Sequence, residues 1–237
     1  MKDIIKTVDQ IEWQGVTNQL HVKGFAIVPG FLSEIHCQQL IEMYNDVGRF
    51  RKKVVMERFR FGLGEYQYFD YPLPGIIQAI REKLYPQLVP IANQWMQMLG
   101  IDRSFPKAVK DLLTQCRFNS QLKPTPLLLK YGVGGFNTLH QDLYGDVYFP
   151  LQVVCMLNQV NMDYTGGELV LTQQTPRAQS KAIVLTPKKG DMVILATQFK
   201  PGKGGKGYHR VNMKHGVSEV HRGERHALGV IFHDAQS

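Results

Sequence analysis

The stretch "NTLHQDLYGD", residues 137–146, sets His140 and Asp142 two positions apart. An imidazole and a carboxylate at that spacing are half of a metal site, or equally a polar corner on a β-rich surface. Two histidines and one carboxylate form the facial set that holds Fe(II) and leaves positions open for a cosubstrate and dioxygen. On a strand, alternate residues point the same way, so His140 and Asp142 can share a face while Gln141 points away. The third ligand must come from a later strand that returns beside the first. Five downstream histidines compete for that place: His209, His215, His221, His226 and His233. His209 and His221 sit in polar turns, and His226 begins an apolar run. His215 opens the informative stretch "HGVSEVHRGERHALGVIFHD", and His233 in "FHD" is its rival.

The elements around these residues change character along the chain. "SEIHCQQLIEMYND" opens on Ser33 as an N-cap, with Cys37, Leu40, Ile41 and Tyr44 on one helical face. "PGIIQAIREKLY" and "PIANQWMQMLG" read as two further helices, the second stopped at Gly100. From residue 126 the apolar runs shorten and turn β-like: "PLLLKY", "YFPLQVVCML", "GELVLT", "AIVLT", "DMVILAT" and "HALGVIFH". The pattern predicts an α+β, mainly β fold, a sandwich or jelly roll with the earlier helices packed on one sheet. The expected division is an extension over 1–20, a helical and strand part over 21–125, and a jelly-roll core over 126–237. The "GGEL" glycines suit a tight turn and close strand approach, and Asp191 suits a turn.

Composition narrows the classes. A 43% hydrophobic content over 237 residues is globular and can bury a sizeable core. No stretch approaches a membrane span, and "MKDIIKTVDQ" has no signal-peptide core. Cys37, Cys116 and Cys155 are odd in number and far apart, which argues against a disulfide framework or a cysteine zinc site and fits a reducing cytoplasm. A net charge of +8 favours an anionic partner or substrate.

Taken together, His-Gln-Asp, "GGEL" at 166–169, "KKGDMVIL" at 188–195 and Arg225, ten residues after His215, resemble the iron(II)- and 2-oxoglutarate-dependent dioxygenases. Order and spacing are similar to the prolyl-hydroxylase-type branch. "YGVGGFNTLHQD" looks like the corresponding stretch of the AlkB-like DNA-dealkylating dioxygenases, in which a tyrosine nine residues before the histidine touches 2-oxoglutarate; here that is Tyr131. "LHQDLYG", "TGGELVLTQQTPRAQS" and "KHGVS" further resemble a bacterial family described as nucleic-acid oxygenases. The resemblance spans about residues 20 to 235. It implies a double-stranded β-helix and Fe(II) on His140, Asp142 and His215. It also implies dioxygen and 2-oxoglutarate as cosubstrates, with ascorbate as a reductant. Arg225 would take the far carboxylate of 2-oxoglutarate, because a guanidinium fork matches a carboxylate and stays charged when desolvated. Tyr131 would add a phenolic hydrogen bond, and Gln152, the polar residue in "FPLQVVCML", would face the same site.

Two features bear on the substrate. "QFKPGKGGKGYHRVNMKHG" places Lys200, Lys203, Lys206, Arg210 and Lys214 in a segment that leads into His215, read as a mobile basic loop at the mouth of the site. "RFRKKVVMERFRFGLGEYQYFDYPLP" interleaves Arg49, Arg51, Lys52, Lys53, Arg58 and Arg60 with Phe59, Phe61, Tyr66, Tyr68 and Tyr71, a composition that suits a stacked base or a plain amphipathic strand pair. Tyr144, Lys203, Lys206 and Arg210 are the candidate substrate contacts. The leading expectation is oxidation of an N-alkyl group on nucleic acid, as in DNA repair. One departure tempers it: AlkB-like enzymes carry a second arginine six residues after the first, where this chain has Ile231. The alternatives are a protein side-chain hydroxylase of the prolyl type, a small-molecule hydroxylase, and a jelly-roll module that binds metal without turnover.

Overall fold

The computed structural model describes residues 2–236. Its helices are α1 (Lys2–Asp9), α2 (Trp13–Lys23), α3 (Glu34–Met43), α4 (Gly75–Met98) and α5 (Val109–Phe118). Its strands are β1 (Phe25–Val28), β2 (Phe50–Val55), β3 (Gly62–Leu63), β4 (Glu65–Phe69), β5 (Leu127–Tyr131), β6 (Phe136–His140), β7 (Leu151–Met156), β8 (Tyr164–Gly166), β9 (Leu169–Gln174), β10 (Lys181–Leu185), β11 (Met192–Ala196), β12 (Phe199–Gly204), β13 (Gly207–Val217), β14 (Val220–Gly223) and β15 (Arg225–Val230). A large sheet runs β1-β11-β7-β15-β5-β4-β2, and a smaller one runs β10-β9-β13-β6-β3 with β12 paired to β13. The two form the jelly roll of a double-stranded β-helix.

Why the central strands read as apolar runs, Gln152 apart, follows from their place. Leu151, Val153 and Cys155 on β7 pack into the core shared with the helices, and so do Met192 and Ile194 on β11. The alternate residues Val193 and Leu195 join Phe25, Leu169 and Leu171 in a second cluster. Strands covered on both faces cannot alternate with polar residues. The smaller sheet has a wetter outer face: along β13, Arg210, Asn212 and Lys214 are exposed while Val211, Met213 and His215 are buried.

The helices form one layer against the large sheet. Ser33 caps α3 by accepting from the His36 N–H. The two helices expected over 74–100 are a single one, α4, which passes through Pro86 and Pro90. Each proline removes an intrahelical hydrogen bond. Here Leu84, Tyr85, Leu88, Ile91 and Trp95 are all buried, and tertiary packing outweighs that local loss. Gly100, at φ 62°, follows the end of α4 in the left-handed conformation that stops a helix. A buried ion pair, Arg81 Nη2 to Asp234 Oδ1 at 2.7 Å, ties α4 to the C-terminal segment. The helices-first reading holds only in part, because β1, β2 and β4 already belong to the large sheet. Ile4, Val8, Val16 and Leu20, from α1 and α2, also enter the main core.

Candidate metal centre

His140 ends β6, and His215 lies opposite it in register on the antiparallel neighbour β13. The imidazole centroids are 4.3 Å apart. Asp142 stands just past the strand end and turns back between them. Its Oδ1 is 3.5 Å from His140 Nε2 and its Oδ2 is 3.1 Å from His215 Nε2. Ligand atoms of all three residues lie within 4.8 Å of one another. Gln141 points the other way and donates to the carbonyls of Gln198 and Met213, both at 2.8 Å. His140 Nδ1 is 2.7 Å from the Thr138 carbonyl, which can only accept, so the proton sits on Nδ1 and Nε2 presents a lone pair to the centre.

Both carboxylate oxygens of Asp142 are held. Tyr144 Oη donates to Oδ1 at 2.9 Å and Gln152 Nε2 donates to Oδ2 at 2.9 Å. Gln152 Nε2 is also 3.2 Å from His215 Nε2. Burial opposes ionisation of Asp142, but His215, His140 and Gln152 together hold its carboxyl well below the usual range. Burial, then the neighbouring Asp142 charge, pushes the Tyr144 hydroxyl well up, so it stays a donor. Burial and the nearby His215 lower His140. Two imidazoles and one anion therefore converge where a divalent cation fits.

From this centre a cavity of about 220 Å³ runs between the sheets. The small residues Ala227 and Gly229 on β15 line it, as does Ile231. Arg225 lines the same cavity and is buried, 2% exposed. Its guanidinium packs over the Tyr131 ring at 5.4 Å and donates to Met156 Sδ at 3.4 Å. Its Nε has no partner, and it makes no ion pair among the described residues. A buried cation without a carboxylate is costly unless an anion completes the site. Tyr131, paired with Arg225 in register, is fully buried, with burial pushing its hydroxyl up to about 12 against the opposing charge of Arg225. Its oxygen accepts from Asn137 Nδ2 at 3.3 Å, which leaves the O–H free to donate.

The "GGEL" glycines are a steric requirement of this arrangement. Gly166 and Gly167 have φ of 72° and 63°. A Cβ on Gly167 would stand 2.9 Å from Arg225 Cδ. Gly167→Ala is expected to destabilise the fold by about 1–2 kcal/mol from the left-handed backbone alone. A lower denaturant midpoint at unchanged slope would register it.

Several expected residues lie elsewhere. The basic segment is not a loop at the mouth of the site but the hairpin β12–β13, turning at Gly204–Gly207. Lys203 sits opposite Tyr208, and at about 3.3 Å per residue that position is roughly 23 Å from His215 along the strand. Lys206 lies beyond it in the turn, and Arg210, roughly 17 Å away by the same rise, stacks its guanidinium over Phe199. Chain adjacency to His215 misled because an extended strand separates residues quickly. Lys200 is buried, with Nζ near the His21 and Pro201 carbonyls. Gln152 and Tyr144, expected against cosubstrate and substrate, line the cavity and also hold Asp142. His233 is buried within the fold and accepts from the Phe149 N–H at 3.1 Å. Asp191 accepts from the Gly30 and Lys188 N–H groups in a turn. In the aromatic and basic stretch, most groups are occupied: Arg51 binds the Pro124 carbonyl, Lys53 pairs with Glu65, and Tyr71 bonds Asp234. Sequence reasoning missed Asn137 and Met156, whose only signal was an inward register position.

Residues 64–235 match the family described as "Oxygenase, catalysing oxidative methylation of damaged DNA". The chain belongs to this oxygenase family. Two uncharacterized proteins of Mycobacterium tuberculosis, from strains CDC 1551 / Oshkosh and ATCC 25618 / H37Rv, are each 42% identical to it over 167 residues, 70% of this chain and 72% of theirs. Among solved structures, a Pseudomonas putida prolyl-4-hydroxylase is similar to the oxygenase with TM-score 0.52 and 16% identity, covering 95% of this chain and 100% of that one. A 2OG-Fe(II) oxygenase family oxidoreductase from Burkholderia pseudomallei has TM-score 0.52 and 14% identity over 95% and 94%. An alpha-ketoglutarate-dependent epimerase, SnoN, has TM-score 0.56 and 11% identity over 92% and 81%. These structural likenesses carry the fold alone. Membership of an oxygenase family makes the chain an oxidoreductase. No helix of the described residues is long and apolar enough to cross a membrane.

Proposed function

We propose that the oxygenase removes N-alkyl groups from nucleic acid, with Fe(II) on His140, Asp142 and His215 and the far carboxylate of 2-oxoglutarate on Arg225 and Tyr131. The observation that carries it is the buried Arg225, which has no ion pair among the described residues and faces the same cavity as the two-histidine, one-carboxylate centre. Fe(II), 2-oxoglutarate and dioxygen supply the oxidising power that places one oxygen atom in a substrate C–H bond. An N-methyl group so hydroxylated becomes N–CH2OH, and its C–N bond then breaks to leave N–H and formaldehyde. The chain's own residues orient and enclose. Arg225 and Tyr131 offer charged and neutral donors to one carboxylate, and the apolar walls from Leu127, Leu129 and Val154 keep water out. Support for a nucleic-acid substrate comes from the description of the matching family, the +8 net charge and the aromatic cavity lining of Phe61, Tyr66, Tyr68 and Tyr144.

Tyr144 and Gln152 act in this scheme by fixing the carboxylate of Asp142. Partners of this kind are worth 10–100-fold in metal affinity. Gln152→Leu and Tyr144→Phe are each expected to weaken Co(II) or Mn(II) binding by roughly that factor. Metal titration without cosubstrate measures it, and a merely structural role would lower the melting temperature without changing metal affinity.

A second reading, protein side-chain hydroxylation, is favoured by one observation. Ile231 lines the cavity as a buried apolar residue where an AlkB-like enzyme carries a second arginine. Parallel assays decide: formaldehyde from methylated oligonucleotides supports the first reading, and a one-oxygen mass gain on a peptide supports the second.

A further inference from the structure

The segment Met56–Gly64, between β2 and β4, takes no part in the chemistry above. Phe59 and Phe61 stack on each other at 5.5 Å with planes 20° apart. They are nonetheless 53% and 45% exposed. The backbone fixes them in that position. The Phe61 carbonyl accepts from the Thr138 N–H at 2.8 Å and from Thr138 Oγ1 at 2.9 Å, two residues before His140. Phe61 N–H donates to the Met56 carbonyl at 3.1 Å. Arg60, between the two rings in the chain, closes the short helical turn Met56–Phe59 with a left-handed φ of 60°, uncommon for a residue with a side chain. Backbone strain of this kind persists where the surroundings enforce it, and it collects at functional sites. At Gly62, φ is 139° and a Cβ would stand 2.2 Å from the Phe136 carbonyl oxygen, so only glycine lets the segment lie this close to β6. Phe61 lines the cavity, and Phe59, stacked on it, stands outside that lining and is exposed.

We infer that the stacked Phe59–Phe61 pair is a platform for an unpaired nucleobase beside the one entering the cavity, with Arg58 and Arg60 taking flanking phosphates. The inference rests on the nucleic-acid reading given above. An aromatic face takes the π-face of any base, and guanidinium forks match phosphate oxygens. Both arginines are exposed and free of ion pairs among the described residues, unlike Arg49 and Lys53 of the same stretch. A centroid separation of 5.5 Å leaves no slot between the rings, so the base lies on the pair and not within it.

The test uses the full chain and a short single-stranded oligonucleotide of mixed sequence carrying one fluorescent purine. Anisotropy reads affinity, and quenching of the purine reads stacking. Phe59→Leu, alone and with Phe61→Leu, keeps apolar volume and removes the π-face. Affinity is expected to fall roughly 5- to 150-fold with loss of quenching, the range for one stacked base. Phe59→Trp is expected to keep both signals. Melting curves close to wild type for Phe59→Leu separate lost stacking from lost fold. Wild-type affinity and quenching in the leucine variants would overturn the platform while leaving the nucleic-acid reading in place. No binding of the oligonucleotide by the wild-type protein would overturn both.

Discussion

Asp142→Ala is expected to abolish 2-oxoglutarate turnover while the protein stays folded. Asp142 is the only anion among the three converging ligands, and it neutralises part of the charge of any bound divalent ion. Its loss removes a ligand outright, so metal affinity should fall by more than the roughly 10–100-fold of an outer partner. The fold should tolerate the change, because the residue stands past the end of β6 and not in the main core. Tyr144 and Gln152 lose their acceptor, at a cost of about 1–3 kcal/mol for each buried group left unpaired. Succinate formation, Mn(II) titration and a circular dichroism melt on one preparation measure all three quantities. Residual turnover near wild type would mean that another carboxylate completes the centre.

Arg225→Ala is expected to raise the apparent KM for 2-oxoglutarate by about 30- to 4000-fold, with metal affinity much less changed. The estimate follows from the roughly 2–5 kcal/mol lost when one partner of a buried charged hydrogen-bonded pair is truncated. Arg225→Lys should recover part of the loss: it restores charge in the cavity but not the bidentate fork. Initial-rate measurements over a wide range of 2-oxoglutarate separate the effects on KM and kcat. An unchanged KM would place the cosubstrate carboxylate on another cation.

Much of this site was legible because its signals are local. His140 and Asp142 share a tripeptide, Gln141 takes the opposite face, and His215 and Arg225 lie ten residues apart on either side of the short strand β14. The late strands could be read from short apolar runs with glycine or polar punctuation. What stayed hidden depends on contacts across the fold. Nothing local marks Gln152 as a partner of Asp142, since it reaches the carboxylate only when β7 meets the segment after β6, and the turn that brings the Tyr144 hydroxyl back to Asp142 two residues away has no signature of its own. Pro86 and Pro90 argue for a break that the packing of Tyr85 and Trp95 overrides. The lysines at 203 and 206 look close to His215 in the chain, yet the extended strand β13 lies between them and it. In the aromatic stretch, composition alone could not tell ring pairs facing solvent from those committed to the interior, as Tyr68 is.

The central claim is tested most directly by following formaldehyde and succinate together, with Fe(II), 2-oxoglutarate and a single-stranded oligonucleotide bearing one N-methylated base. The account predicts formaldehyde in step with the oligonucleotide-stimulated part of succinate release, and an oligonucleotide lighter by one methylene. Succinate released without formaldehyde, and unstimulated by any methylated DNA or RNA, would contradict it.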